Sequence, residues 1–105
     1  MVKVTWAPSS IKDINAIAAY IAKDSISAAK NMVVLFFEKV KILDQFSEYG
    51  KPVPETKNPQ LREILAGHYR IIYEVYSLSQ INILTVHHQS RLLKNNPSFK
   101  KRLRK

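Results

Sequence analysis

Cysteine is absent from this 105-residue chain, which excludes disulfides and thiolate zinc sites and leaves the core to carry stability unaided. Glycine occurs only twice, too rarely for the glycine-rich loops that cradle nucleotide phosphates. No apolar run approaches the ~20 residues that a membrane-spanning helix requires. The amino-terminal MVKVTWAPSS alternates instead of leading into a long apolar stretch, so neither membrane insertion nor an export signal is expected. Without cysteine the chain suits a reducing cytoplasm, the expected location. Acidic residues are also few: eight, against seventeen Lys and Arg, for a net charge of +9. A field of that size steers a protein toward polyanions or an acidic partner.

The positive charge is unevenly spread. From Arg91 to the end there are seven cations (Arg91, Lys94, Lys100, Lys101, Arg102, Arg104 and Lys105) and no acid. Residues 92–105 therefore read either as a solvated charged end or as an arm that contacts phosphates or docks a partner.

Hydrophobic periodicity predicts the elements. Val2, Val4 and Trp6 alternate with Lys3 and Thr5, the pattern of a short half-buried strand. After Ala7-Pro8, Ser9 or Ser10 is placed to cap a helix, and Ser10 with Asp13 has the spacing of a capping box. Ile11, Ile14, Ala18 and Ile21 share one helical face. Asp24-Ser25 supplies a break and a new cap. Ala29, Val33, Phe36, Val40 and Leu43 then repeat at steps of four and three, predicting a long second helix closed near Tyr49-Gly50. So short a connection folds the two helices into an antiparallel hairpin.

The segment KPVPETKNPQ holds three of the five prolines and reads as an extended crossing loop. Strands follow at Leu61 to Leu65, His68 to Tyr76 and Ile81 to His88. Neighbours joined so tightly must be antiparallel, because a parallel pair needs a crossover of about a dozen residues or more. A last helical turn is expected from Ser98 to Arg104, after the break at Asn96-Pro97. The expected architecture is α+β: a β-α-α-β-β-β order with a helical hairpin packed on one face of a small, mostly antiparallel sheet. Residues 1–105 fit a single domain, and covering one sheet face would leave the other open.

Along the middle strand Tyr69, Ile71, Tyr73 and Val75 fall on one face, while His68, Arg70, Ile72, Glu74 and Tyr76 fall on the other. An arginine in a central strand must be paired or must bind an anion. Two readings of Arg70 stay open: a cross-strand pair with Glu63 or Glu74, and anion contact on the open face. Arg62 and Arg91 could converge with it there. Guanidinium groups beside an imidazole are what phosphodiester cleavage needs, the arginines for charge and the histidine for proton transfer. His87 and His88 are consecutive, so only one shares Arg70's face, and alternation does not say which. With no suitably spaced acid or cysteine, no metal site is expected, and no cofactor either.

The stretches VTWAPSSIKDINAIAAYIAKDS, LREILAGHYRIIYEV and INILTVHHQSR resemble the RelE/ParE superfamily of type II toxin–antitoxin toxins, from about Val4 to Arg91, with the Tyr69-Arg70-Ile71-Ile72-Tyr73 run as the most specific part. The resemblance implies a small basic toxin of a plasmid-stabilisation module, neutralised by a cognate antitoxin whose acidic extended segment wraps it. It leaves two activities open: ribosome-dependent messenger-RNA cleavage, as in RelE, and DNA gyrase inhibition without enzymatic activity, as in ParE.

Arg70 matches the arginine that RelE-like nucleases set against the substrate phosphate, although many ParE-like members carry it too. Where some nucleases have catalytic lysines, this chain has Leu61 and Glu63 around Arg62. After Arg91 it has Phe99 and no tyrosine, whereas several nucleases place a tyrosine near the scissile bond. The regular hairpin with YIAKDS at its bend looks more like ParE. The nuclease reading would make Arg62, Arg70, His87, His88 and Arg91 catalytic, acting on messenger RNA at the ribosome. The gyrase reading makes Arg70, Arg91, Lys94, Lys100, Lys101 and Arg102 target contacts. A third reading, a non-toxic nucleic-acid-binding module, would account for the charge but not for the family pattern.

Overall fold

The computed structural model describes residues 1–99 of the chain. Its elements are β1 (Lys3–Trp6), α1 (Pro8–Ala22), α2 (Ile26–Val40), a 3-10 turn (Lys41–Asp44), β2 (Lys51–Pro52), β3 (Leu61–Ala66), β4 (Tyr69–Ser77), β5 (Gln80–His88) and a second 3-10 turn (Leu93–Asn95). The architecture is α+β, as the periodicities predict. The strands form one five-stranded sheet in the order β1-β5-β4-β3-β2. All neighbours run antiparallel except β1 and β5, whose parallel pairing is possible because the helical hairpin supplies the crossover between distant strands.

The hairpin buries its apolar stripe on one sheet face. Ile14 from α1 and Phe36 and Val40 from α2 meet Ile64, Ile71, Tyr73, Ile83 and Val86, and Phe36 packs edge-on to Tyr69 at 5.4 Å between ring centres. Full burial of a side chain the size of Phe36 contributes roughly 1.5–3 kcal/mol, so these few residues account for much of the driving force. Ile11 is the exception to the predicted stripe and faces solvent.

Only one of the two helix starts follows the sequence pattern. Ser25 caps α2 as expected, accepting from the Ala28 amide at 3.1 Å. At α1, however, the cap position falls to Ala7, with Pro8 in the first turn, where its missing N–H costs nothing. Ser9 and Asp13 are thereby freed for tertiary bonds, while Ser10 Oγ donates locally to the Ala7 carbonyl at 2.6 Å. Ser9 Oγ donates to the Leu84 carbonyl at 2.6 Å, and Asp13 accepts from Thr85 Oγ1 and the Val86 amide, which pins α1 to β5.

The α-helical part of the second helix stops at Val40 and not near Tyr49. The chain then tightens into the 3-10 turn that buries Leu43. Gly50 is consequently not a helix cap; it lies against Tyr73, whose phenol oxygen accepts from the Gly50 amide at 2.8 Å. The crossing loop also starts with a strand residue pair the pattern did not announce, Lys51 and Pro52, on the sheet edge where a proline removes no ladder bond.

The second sheet face is covered and not open. Val53 from the crossing loop, with Leu93 and Phe99 from the carboxy-terminal segment, closes over Leu61, Ile72 and Leu84, and all six are buried. So small a chain covers two faces by using a loop and a carboxy-terminal segment of short helical turns as lids. Pro97, Ser98 and Phe99 are helical, and the remainder of the turn expected to reach Arg104 lies outside the described residues.

Candidate functional site

Strand register decides which polar side chains meet. Between β4 and β5 the pairs are Tyr73 with Ile83 but Ile72 with Thr85, so Leu84 is an extra residue, a β-bulge. Beyond it Arg70 pairs with His87 and Tyr69 with His88. Directly opposed residues share a face, so His87 lies on the side of Arg70 and His88 on the side of the helices. An unbulged ladder would have made the opposite assignment.

Arg70 is buried and each of its three guanidinium nitrogens is engaged. Its Nε donates to Glu63 at 2.7 Å, and Nη1 and Nη2 make a bidentate pair with Glu55, both at 2.7 Å. Glu63 is buried as well and takes a second cation, Lys51, at 3.6 Å. Glu63 is one of the two partners expected for Arg70; Glu55, from a loop without periodicity, gave no signal in the sequence. These charge-assisted bonds keep the guanidinium protonated.

Donation from Arg70 in turn holds the Glu55 carboxyl below its usual 4.5, against the opposing effect of desolvation. Because the folded-state value is depressed, Glu55 adds stability above about pH 4.5 and loses it as pH falls through the folded value. Its side chain is 41% exposed, so the loss is expected to stay below about 1 kcal/mol after solvent screening. Urea unfolding across the acid range should show that loss, and Glu55→Gln should flatten it; an unchanged slope in the variant would assign the pH dependence to other carboxylates.

Arg62 does not join Arg70. It pairs with Tyr73 on the helix side of the sheet, donates to the Gly50 carbonyl at 2.7 Å and the Glu48 carbonyl at 3.3 Å, and approaches the Glu48 carboxylate at 3.9 Å. The two neighbouring arginine-bearing strands read as one cluster only while the face of each is unassigned. Burial pushes the Tyr73 phenol above its ordinary value, which keeps this hydrogen-bonding site uncharged.

His87 is buried beside Arg70 with both ring nitrogens engaged. Nε2 lies 3.0 Å from the Arg91 carbonyl and Nδ1 3.1 Å from the Asn96 side-chain amide. His88 is partly exposed, accepts from Ser90 at 2.7 Å, and meets the Tyr69 ring edge-on at 5.1 Å.

Arg91 is exposed at the mouth of two adjoining hollows between α1 and the segment after β5, about 620 and 520 Å³ in volume, that share Asp13, His87, Arg91 and Asn96. Lys12 and Ser98 add to the first, and Ile17, Tyr20, Tyr69 and His88 line the second. Lys94 is exposed on the same segment. Lys12 and Tyr20 escape sequence reading because α1 shows only its apolar stripe as a pattern. Lys100, Lys101 and Arg102 lie outside the described residues. Among those described, no three His, Asp or Glu side chains are grouped to hold a metal ion, and no helix is long and apolar enough to cross a membrane.

The architecture has counterparts. A family model described as the ParE toxin of type II toxin–antitoxin system, parDE, matches residues 4–93. Among solved structures, the chain is similar to one of the chromosomal ParDE system from P. aeruginosa, with 23% identity and a TM-score of 0.69 over 84% of this chain and 96% of that one. That likeness shows the fold. A chain of the RelBE2 toxin–antitoxin complex from Mycobacterium tuberculosis matches 83% of this chain and 96% of its own, at 17% identity and a TM-score of 0.48. No curated protein is significantly similar in sequence.

Proposed function

The chain belongs to the ParE toxin family of type II toxin–antitoxin systems, within the RelE/ParE superfamily, and from that membership we propose that it inhibits DNA gyrase without cleaving RNA and is neutralised by a cognate antitoxin. The observation that carries this reading is the state of Arg70. A phosphate-binding arginine has to offer its donors to substrate, whereas here two carboxylates hold them. Receiving a phosphate at Arg70 would mean expelling Glu55 and bringing an anion within reach of buried Glu63, an arrangement that like-charge repulsion opposes.

Two of the other nuclease candidates are as poorly disposed. Arg62 serves the opposite side of the sheet, and His87 has no free ring nitrogen with which to move a proton.

In this reading residues 1–105 act as one toxin domain in the cytoplasm, where gyrase is found. Arg91 and Lys94, with the basic residues that follow them, contact the gyrase–DNA complex, and the helical hairpin supplies apolar contact. Exposed cations contribute little to fold stability but raise the rate of encounter with an anionic target.

The test is induction of the toxin in bacteria lacking the antitoxin, with messenger-RNA integrity and gyrase-linked double-strand breaks followed in one culture. Breaks with intact transcripts are expected. Transcripts cut within codons beside intact DNA would sink the gyrase reading and make Arg70, His87 and Arg91 the residues to examine for cleavage. If neither appears and the purified chain binds bare nucleic acid with steep salt dependence, the chain is a binding module.

A further inference from the structure

We propose that Asn96 is the positioning residue of the segment from Leu92 to Phe99, and that one of its two side-chain bonds to β5, the one to His87, holds only while the Nδ1 atom of His87 carries no proton. The inference starts from the Asn96 side chain, which makes four hydrogen bonds. Oδ1 accepts from the Ser98 amide at 2.9 Å and the Phe99 amide at 3.4 Å, capping the helical residues that follow Pro97. Backbone amides can only donate, so the orientation of this side-chain amide is settled by its partners. Nδ2 therefore points at Thr85 Oγ1 and His87 Nδ1, both at 3.1 Å.

The tautomer of His87 follows. Nδ1 faces an N–H donor and must present its lone pair. Nε2 faces the Arg91 carbonyl, which can only accept, and must carry the hydrogen. One neutral form satisfies both bonds. A second proton would set an N–H on Nδ1 against the N–H of Asn96, breaking one of the two bonds from Asn96 to β5 and leaving the one to Thr85. A proton on Nδ1 is thus compatible with the released segment and not with this bond, so acid favours release.

Ionisable groups stand on every side of the ring: Arg70 from β4 with its carboxylates Glu55 and Glu63, Asp13 and Lys12 from α1, and Arg91 from the segment itself. Arg70 is matched by its carboxylates and Asp13 is bonded to β5, so the hydrogen bonds at Nδ1 and Nε2 are what the proton must disturb. Leu93 and Phe99, buried on either side of Asn96, seat the segment, and Asn96 sets its direction. That this direction matters for the target rests on the proposed role of Arg91 and Lys94; the latch itself does not.

Substitution at residue 96 should invert the pH dependence. In Asn96→Asp one carboxylate oxygen still caps Ser98 and Phe99, but the other offers a lone pair to His87 Nδ1. Docking then needs a proton there, while Nε2 still needs its own for Arg91, so the variant docks with imidazolium and loosens as pH rises. In His87→Gln a side-chain oxygen can accept from Asn96 and an N–H can donate to Arg91, with nothing to titrate.

The experiment is hydrogen exchange of the Ser98 and Phe99 amides in the full chain, expressed as protection relative to the unstructured rate, between about pH 8 and about pH 5, the interval in which histidine is the side chain that changes charge. The Ile71 and Ile72 amides of β4 report global stability. Protection at Ser98 and Phe99 should fall about tenfold on acidification in the parent, rise by a similar factor in Asn96→Asp, and stay level in His87→Gln, with β4 unchanged. Parent and Asn96→Asp moving in the same direction, or His87→Gln keeping the parent's pH dependence, would overturn the latch. If Asn96→Asp does not fold, His87→Gln alone decides. Exchange reads the latch and DNA breaks read the target, so either idea can fail without the other.

Discussion

Replacing Arg70 with alanine is expected to destabilise the protein by roughly 3–5 kcal/mol, because it strands a buried carboxylate. Glu63 is only 3% exposed at its side chain, and Lys51, 60% exposed and 3.6 Å away, is a weak substitute for the guanidinium, whose Nε and Nη2 lie 2.7 Å and 2.6 Å from its Oε1. Glu55 can turn to solvent and contributes little to the cost. Against a total stability of roughly 5–15 kcal/mol for a small domain, this is a large fraction. Urea unfolding should show a reduced midpoint with a nearly unchanged slope, or the protein should fail to accumulate.

A matched double variant, Arg70→Leu with Glu63→Leu, should recover much of the loss, since well-packed apolar residues can replace a buried ion pair with little penalty. The prediction also separates the two readings of this residue. An Arg70→Ala protein that folds normally and no longer cleaves messenger RNA would return the arginine to a catalytic role. A destabilised one establishes that its work is holding β3, β4 and the crossing loop together.

Gly50→Ala should cost about 2–4 kcal/mol, for a steric reason the sequence conceals. A Cβ at this position would stand 2.6 Å from the Glu63 carbonyl oxygen, 2.7 Å from Tyr73 Oη and 2.8 Å from Tyr73 Cε1. The first is backbone in the middle of a sheet, and Tyr73 is fully buried, so neither can yield cheaply. Moving the loop also breaks the bond from the Gly50 amide to the phenol and the one from Arg62 to the Gly50 carbonyl.

Gly67 is the instructive control. It adopts a left-handed φ of +60° in the β3–β4 turn, yet a Cβ there meets nothing nearer than 3.4 Å, the end of the Met32 side chain. Gly67→Ala should therefore cost only the conformational penalty, about 1 kcal/mol. Thermal unfolding of both variants gives the ranking, and a Gly67→Ala protein less stable than Gly50→Ala would refute the steric account.

The site was less legible than the fold, and the residues show why. The turn at Ala66-Gly67 and the alternation through Tyr69, Ile71 and Tyr73 are local signals, so β3, β4 and β5 emerge within a residue or two of their bounds. Arg70 was visible as an anomaly, and Glu63 was within reach as a partner, because both belong to alternating strands. Glu55 was not: it sits among prolines, where no period assigns it a direction. Arg62 was drawn into the wrong cluster because proximity in sequence does not report the face of a strand until its register is known. The covering of the second sheet face was missed for a related reason, since Val53, Leu93 and Phe99 are isolated apolar residues in segments without a repeat.

The amino-acid sequence by itself determined the α+β class, the order of the elements and the antiparallel hairpins, because each depends on spacings of two to four residues or on connections too short to be made another way; the resemblance to the RelE/ParE superfamily lay in the residues of the quoted stretches themselves. The tertiary structure decided what the polar residues do. One extra residue at Leu84 turns His87 toward Arg70 and His88 away from it, and a single loop carboxylate completes the enclosure of Arg70. Both outcomes depend on the pairing of strands and loops distant along the chain. Periodicity within a segment carries no information about that pairing, since a one-residue change in register reverses every side chain beyond it.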